Sequence, residues 1–215
     1  MVLRGDRVVL EPLTLEHADA IHEANSEAAR WDYLPYGPYP DAAAYRDWVR
    51  EVSRHADPLF FAFVTEAGPS GVGSLMRIAP EAGSIEIGHL NFAPRLAGTP
   101  AATEGIFLMA DWAFAAGYRR LEWKCNALNR ASRAAAQRFG YSFEGVFRQA
   151  AVFKGRNRDT AWFAIMDHEW PALRGAFTRW LADTNFDSEG RQRERLSQLT
   201  APLLFGTDPM LEESA

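Results

Sequence analysis

Apolar and polar residues follow two periods along the first half of the chain, and each period predicts one kind of element. Alternating or β-branched runs are typical of strands, and the strand-like segments here are 6–13, 59–66, 71–79 and 84–92. Helical spacing over 15–28 and from Asp41 onwards predicts two helices between the first two strands. The loop between these helices, 30–40, is rich in proline and aromatic residues.

The second half of the chain begins with a helical pattern and then alternates between the two periods. The predicted elements are a helix at 99–118, a strand at 119–127, a helix at 129–141, and strands at 142–155 and 159–170. One or two amphipathic helices are expected in the tail, over 172–182 and 188–199. This order predicts an α+β domain over residues 1–170, built on a mixed, mostly antiparallel sheet, with a helical extension over 171–215.

Composition narrows the class of protein. The 215 residues are 47% hydrophobic, enough for a full core, and the formal charge of −5 argues against nucleic acid as a partner. Cys125 is the single cysteine, so an intrachain disulfide is excluded and a reducing compartment is expected. No apolar run suits a signal peptide or a membrane helix, so we expect a soluble, cytoplasmic protein.

The turn at Gly98 has the features of an anion site. A helix N terminus leaves N–H groups unsatisfied and carries a partial positive charge, so a phosphate is stabilised there. Thr99 offers an N-cap hydroxyl, and Pro100 takes the first helical position, where a missing N–H costs least. The expected amide donors are those of Gly98, Thr99, Ala101, Ala102 and Thr103. A plain strand-to-helix turn is the alternative.

A second polar helix start follows one strand later. Asn129 and Ser132 lie one turn apart and can face one groove, while Arg130 and Arg133 add positive charge. Alone, this pattern describes a helix cap with solvated arginines. After the glycine turn, it suggests a long phosphorylated ligand that contacts both helix starts.

These two stretches, in this order, resemble the GNAT acyltransferases, and within them the RimJ/RimL-type branch. The matching residues are Glu86-Ile87-Gly88, Pro94, Gly98 to Glu104, Ala113-Phe114, Gly117, Asn129, Ser132-Arg133, Gly140-Tyr141, Glu144-Gly145 and Arg148. The resemblance covers about residues 3–170. It implies a sheet that opens between the strands at 84–92 and 119–127, with acyl-CoA in the opening.

The resemblance also implies how acyl-CoA is held. The pyrophosphate would lie on the 98–103 turn, and the pantetheine arm would pair with the strand end, where we assign Leu90, Phe92 and Ala93. Asn129 and Ser132 would face the arm and the sulfur, with Arg133 as a candidate for a nucleotide phosphate.

The implied reaction is direct transfer of an acyl group, most simply acetyl, from CoA to an amine. It requires that the acceptor is held in line, that the oxyanion is stabilised, and that the leaving thiolate is protonated. Branch members are thought to use the serine as the acid, which is Ser132 here. No spacing of His, Cys, Asp or Glu suggests a metal site, so no metal is expected.

The chain departs from the family pattern at the pyrophosphate loop. The pattern Gln/Arg-x-x-Gly-x-Gly/Ala can be placed on Arg95, Gly98 and Pro100, or on Ala97, Pro100 and Ala102. We favour the second placement because "ATE" is the better anchor. In both, the loop is altered.

Two family side chains that handle protons are also missing. Ala136 stands where many members have a tyrosine acid, and Ala151 where some have a glutamate base. The remaining candidates for the base are Glu86, His89 and Asp159. Glu86 and His89 differ by three positions, so in a regular strand they face opposite sides unless a bulge re-aims one.

The loop at 30–40 lies where the family builds its acceptor pocket. Trp31, Tyr33 and Tyr36 are assigned to that pocket, with Arg148 from the later motif; ordinary edge packing is the alternative for the aromatic residues. The leading hypothesis is therefore an N-acyltransferase acting on a protein N terminus or a small amine. A non-catalytic acyl-CoA-binding or protein-interaction module, and a nucleotide-binding protein unrelated to GNATs, are the alternatives. Phe177, Trp180 and Leu181 of the tail could dock on the domain or on a second copy of the chain, and of these a homodimer is the expectation.

Overall fold

The computed structural model describes residues 1–212, which form two compact units, Met1–Ala113 and a second that begins at Phe114. The elements that begin in the first unit are β1 (Leu3–Arg4), β2 (Val9–Pro12), α1 (Leu15–Ala24), α2 (Ala42–Val52), β3 (Leu59–Thr65), β4 (Gly68–Ala79), β5 (Ser84–Phe92) and α3 (Pro100–Ala115). Strands β1 to β5 pair antiparallel in chain order.

The second unit contains three strands and the remaining helices. Its elements are β6 (Arg120–Asn126), α4 (Arg130–Arg138), β7 (Ser142–Phe153), β8 (Arg156–Met166), α5 (Trp170–Leu181), α6 (Leu196–Thr200) and α7 (Pro209–Glu212). Strand β8 lies between β6 and β7 and is antiparallel to both. The predicted order of helices and strands is confirmed, with the short β1 added.

The core of the first unit forms where α1 and α2 cover one face of β3 and β4. Its buried members include Ile21, Trp31, Tyr45, Phe60 and Val72. Except for Trp31, which comes from the segment between α1 and α2, these residues come from the helix stripes and from alternate strand positions, as the two periods require.

The predicted helix over 188–199 is wrong in its first two thirds, because only Leu196–Thr200 is helical. Asp187 accepts hydrogen bonds from the amides of Glu189 and Arg191, both at 2.9 Å. Gly190 adopts a φ of 75°. A side chain that bonds to nearby backbone competes with the helix, so the chain forms a tight loop here. Within residues 1–212, no helix has both the length and the apolar character needed to cross a bilayer.

Candidate active site

The start of α3 is capped by the side chain predicted to cap it. Thr99 Oγ1 accepts a hydrogen bond from the Ala102 amide at 3.2 Å and donates one to the Leu96 carbonyl at 2.7 Å. The Thr103 amide donates to the Thr99 carbonyl at 3.2 Å, and the Thr99 amide donates to Leu96. The turn is therefore fixed before any ligand binds.

This capping corrects the predicted set of anion donors. The amides of Thr99, Ala102 and Thr103 already donate within the turn, as the first turn of a capped helix requires. The amides of Gly98 and Ala101 have no such partner among residues 1–212. Gly98 has a φ of 78°, and a Cβ built on it would meet no atom within 4 Å. An anionic group can thus approach the backbone at this point, which fits a pyrophosphate.

The strand end before this turn also differs from the prediction. The Ala93 amide donates to Ser70 at 2.9 Å, and its carbonyl accepts from Leu96 and Ala97. The Phe92 carbonyl accepts from Arg30 Nη1 at 3.1 Å. Ala93 and the Phe92 carbonyl are thus engaged in closing the turn, so they do not offer free backbone groups to a pantetheine arm. Leu90 stays a prediction.

Arg95, one anchor of the alternative loop alignment, has a structural partner. Its Nε donates to Ser70 Oγ at 2.9 Å, and its Nη2 donates to the Pro69 carbonyl at 2.6 Å. Arg95 therefore ties the loop to β4.

Glu104 is a buried acid in the "ATE" sequence, and its role was not predicted. Its Oε2 accepts from the amides of Arg7 at 2.7 Å and Val8 at 3.1 Å, and its Oε1 accepts from Asp6 at 3.1 Å. A Cβ on Gly5 would lie 2.5 Å from this carboxylate. Glu104 therefore fastens the turn between β1 and β2 to helix α3.

Strand β5 has a bulge at His89. Val72 pairs with Asn91 and Ser74 with Gly88, so two steps along β4 oppose three along β5. His89 takes the extra position with a φ of 52°, which is uncommon for a residue other than glycine.

The bulge decides which way His89 faces. Phe60 opposes Ser74, and Ser74 opposes Gly88, so Gly88 lies on the face of Phe60. Glu86, two residues earlier, shares that face. The His89 ring lies 5.1 Å from the Phe60 ring, so it is on this face as well. The two candidate bases therefore face the same side, which is the exception that the spacing argument allowed.

Glu86 is only 3% exposed, and its Oε2 lies 3.0 Å from Arg77 Nε. Its carboxylate is therefore held in an ion pair. His89 is half-buried and stacks on Tyr36, with ring centroids 5.4 Å apart.

The aromatic loop divides into an interior part and an outer part. Trp31 is 2% exposed, and its indole N–H donates to the Asn25 carbonyl at 3.0 Å. Its assignment to a substrate pocket is wrong, because it fills the core instead. Tyr33 is 42% exposed. The Tyr36 hydroxyl oxygen is buried without a hydrogen-bond partner among residues 1–212, and burial raises the pKa of Tyr36 well above its usual value.

The start of α4 is capped as predicted. Asn129 Oδ1 accepts a hydrogen bond from the Ser132 amide at 3.0 Å. This bond takes up the Asn129 side-chain oxygen and places Ser132 in the first turn, where its side chain is half-buried.

The Ser132 hydroxyl contacts β6, on which α4 packs. Trp123 Nε1 lies 3.0 Å from Ser132 Oγ. Trp123 and Cys125 are buried, and they lie two positions apart on one face of the strand. Burial raises the pKa of the Cys125 thiol, although the Ser132 hydroxyl opposes this effect.

Arg133 does not meet the prediction that it contacts a phosphate. It is 2% exposed, and its Nε and Nη2 both donate to the carboxylate of Asp208, the former at 2.6 Å. Its Nη1 donates to the Ala127 carbonyl at 2.8 Å. The guanidinium is thus satisfied inside the unit by a partner 75 residues away in the chain.

The C-terminal segment continues this contact along α4. Gln137 donates to the Gly206 carbonyl and accepts from the Asp208 amide at 3.0 Å. The Thr200 hydroxyl donates to the Arg138 carbonyl at 3.0 Å. Residues 196–208 therefore hold α4 along its length.

The hairpin of β7 and β8 carries the last two candidates. Arg148 is exposed next to a bulge of β7. Asp159 accepts from the Gln149 amide at 2.7 Å, and this bond, with one from Asn157, lowers the pKa of Asp159. A lowered pKa makes Asp159 a weaker base. The described residues contain no cluster of three or more metal-ligating side chains.

The start of α3 thus carries open backbone amides, and the start of α4 carries a held serine hydroxyl. Residues 7–142 match the acetyltransferase (GNAT) domain family, which is more than half of the chain. The chain belongs to this family, as predicted.

Three relatives show how far the similarity extends. A GCN5-related N-acetyltransferase from Brucella melitensis is 44% identical, with a TM-score of 0.91 over 94% of each chain. The uncharacterized N-acetyltransferase p20 from Bacillus licheniformis is 24% identical over 174 residues, 78% of this chain and 97% of that protein.

The third is an acetyltransferase from Salmonella typhimurium that modifies the N-terminal serine of ribosomal protein L7/L12. It is 20% identical, with a TM-score of 0.67 over 77% of this chain and 99% of that one, and this likeness shows the fold alone.

Proposed function

We propose that the protein is an acyl-CoA-dependent N-acetyltransferase whose acceptor is the primary amine of a protein N terminus or of a small molecule. The observation that carries this proposal is the turn at Gly98. Among residues 1–212, the amides of Gly98 and Ala101 have no hydrogen-bond partner; they lie at a helix N terminus, and a Cβ on Gly98 would meet no atom within 4 Å. In a GNAT chain such a turn is suited to the pyrophosphate of acyl-CoA.

The proposed acid is Ser132. The acceptor nitrogen bonds to the acyl carbon, the carbon–sulfur bond breaks with its electron pair on sulfur, and the Ser132 proton moves to that sulfur. The proton lost by the nitrogen restores the serine hydroxyl through the base and water. Asn129 holds the first turn of α4, and Arg133 has no direct role, because its guanidinium is occupied by Asp208.

We assign the base to His89. Its ordinary pKa of about 6.5 suits proton transfer near neutral pH. The bulge turns it to the aromatic face, whereas the carboxylate of Glu86 is paired with Arg77. The carboxylate of Glu86 then contributes a charge on the same face of β5 as His89. Tyr33, Tyr36 and Arg148 are the proposed acceptor-binding residues.

A screen of thiol release tests the function. It uses acetyl-CoA and succinyl-CoA with peptides that have free N termini, including N-terminal serine, and with small primary amines and an amino-sugar. We expect release with acetyl-CoA and at least one amine, and a large loss in Ser132→Ala. If wild type and Ser132→Ala release thiol equally slowly with every amine, the enzyme assignment fails.

A non-catalytic module that binds acyl-CoA is the second candidate. It is favoured by Ala136 and Ala151, which stand where other family members carry proton-transferring side chains. Both candidates require that the protein binds CoA, and calorimetry measures this binding. A module binds CoA without turnover, whereas the enzyme does both.

A further inference from the structure

A serine hydroxyl that protonates a thiolate must point its hydrogen at the sulfur. The hydroxyl has one hydrogen to donate and two lone pairs that accept, and its hydrogen rotates to suit its partners. Whatever fills the lone pairs therefore decides where the hydrogen can point.

Trp123 fills one lone pair of Ser132. Its Nε1 lies 3.0 Å from Ser132 Oγ, and an indole N–H can only donate, so the serine oxygen accepts. The ring is 5% exposed and packs against Phe139 and Tyr141, at centroid distances of 5.9 and 5.5 Å. Its direction is therefore fixed by the core.

We propose that Trp123 is a positioning residue, which occupies a lone pair of Ser132 and keeps the hydroxyl hydrogen from pointing at the indole, so that it can turn towards the leaving sulfur. This inference rests on the proposed function. The serine then enters the reaction already aligned as a donor, so that it does not have to leave a competing interaction. Alignment affects the chemical step and leaves the binding of acyl-CoA unchanged.

The test uses Trp123→Phe, which keeps the ring and removes the N–H. Its matched control is Trp170→Phe, since Trp170 is also 5% exposed and belongs to the same unit. With acetyl-CoA and the best amine of the screen, we expect Trp123→Phe to lower kcat about tenfold, with KM for acetyl-CoA within about twofold. Trp170→Phe is expected to leave kcat unchanged.

The effect of Trp123→Phe is then measured in a Ser132→Ala background. A residue that acts through Ser132 has no further effect once the hydroxyl is gone, whereas a general packing defect lowers kcat equally in both backgrounds. Equal losses, or a kcat of Trp123→Phe equal to wild type, overturn the inference while the enzyme assignment stands. A wild type that releases no thiol with any amine overturns both.

The hydrogen bond itself is measured without turnover. In ¹H–¹⁵N spectra of the full chain, the indole resonance that disappears in Trp123→Phe is expected to shift upfield in Ser132→Ala. An unmoved resonance would mean that the bond is absent in solution, which also overturns the inference.

Discussion

The N-terminal turns of α3 and α4 have similar caps but offer different groups to a ligand. Each has a polar N-cap, Thr99 or Asn129, and each carries a buried charge within its first two turns. Glu104 of α3 binds the amides of the β1–β2 turn, and Arg133 of α4 binds Asp208. Each helix is thus fastened to one end of the chain by a charged residue of the family motif.

The difference lies in what remains for a ligand. At α3 the open groups are backbone amides of Gly98 and Ala101, so this start is suited to binding an anion. At α4 the available group is the Ser132 hydroxyl, so this start is suited to moving a proton. Changes at α3 should therefore alter binding, and changes at α4 should alter turnover.

The largest effect is expected from removing Asp208, the buried partner of Arg133 on α4. Asp208→Ala leaves the Arg133 guanidinium buried without its partner, which should lower the free energy of unfolding by about 3–5 kcal/mol. Urea denaturation measures this loss. The double variant Arg133→Met/Asp208→Leu removes both charges and should recover most of it. A loss below about 1 kcal/mol would show that the pair is not buried in solution.

Removing the hydroxyl at α4 should give the largest effect on activity. Ser132→Ala is expected to lower kcat about 100-fold, the size of a general-acid contribution, with KM for acetyl-CoA within about twofold. Steady-state kinetics of thiol release measure both constants. A rise in KM with kcat unchanged would assign Ser132 to binding instead.

The contacts of Glu104 should stabilise less than the Arg133–Asp208 pair of α4, because Glu104 is held by three backbone amides and a 3.9 Å ion pair with the half-buried Arg7, whereas Arg133 forms two short bonds to a buried carboxylate. Glu104→Gln replaces one carboxylate oxygen by an NH2 group, which cannot accept hydrogen bonds from the backbone N–H groups that face it. The change is expected to lower the free energy of unfolding by about 2 kcal/mol, measured by urea denaturation. Glu81→Gln is the control, because Glu81 is exposed and the change should cost below about 0.5 kcal/mol. Equal losses of stability in the two variants would contradict the role of Glu104 in holding the β1–β2 turn to α3.

A side chain on the α3 turn should weaken binding without slowing chemistry. Gly98→Val strains a left-handed position by about 1–2 kcal/mol and covers the amides beside it. We expect the Kd for CoA to rise about tenfold in calorimetry, while kcat at saturating acetyl-CoA stays within about twofold. A fall in kcat with an unchanged Kd would contradict the assignment of binding to the start of α3 and of turnover to the start of α4.

Pro100→Gly should have the smallest effect. It restores an N–H at the first helical position and adds a possible donor, so CoA affinity should stay the same or rise up to about threefold. Calorimetry measures the Kd for CoA in Pro100→Gly, in parallel with Gly98→Val. Abolished CoA binding would mean that Pro100 itself shapes the turn.

Sequence patterns predicted the helices and strands well where local signals are strong. The caps at Thr99 and Asn129 are where the pattern placed them, since a cap bonds only to residues three positions on. The helix expected over 188–199 failed because Asp187 bonds to nearby amides and competes with helix formation. The face of His89 depends on a bulge, which the spacing allowed but did not require.

The sequence by itself determined the order of elements, the two helix starts and the family, because all of these rest on local periodicity and motif order. Only the tertiary structure decided which motif groups are free. Glu104 bonds to amides 96 to 98 positions away, and Arg133 bonds to Asp208 75 positions away. A buried polar group must be satisfied by whatever the fold brings beside it, and that partner has no local signal in the chain.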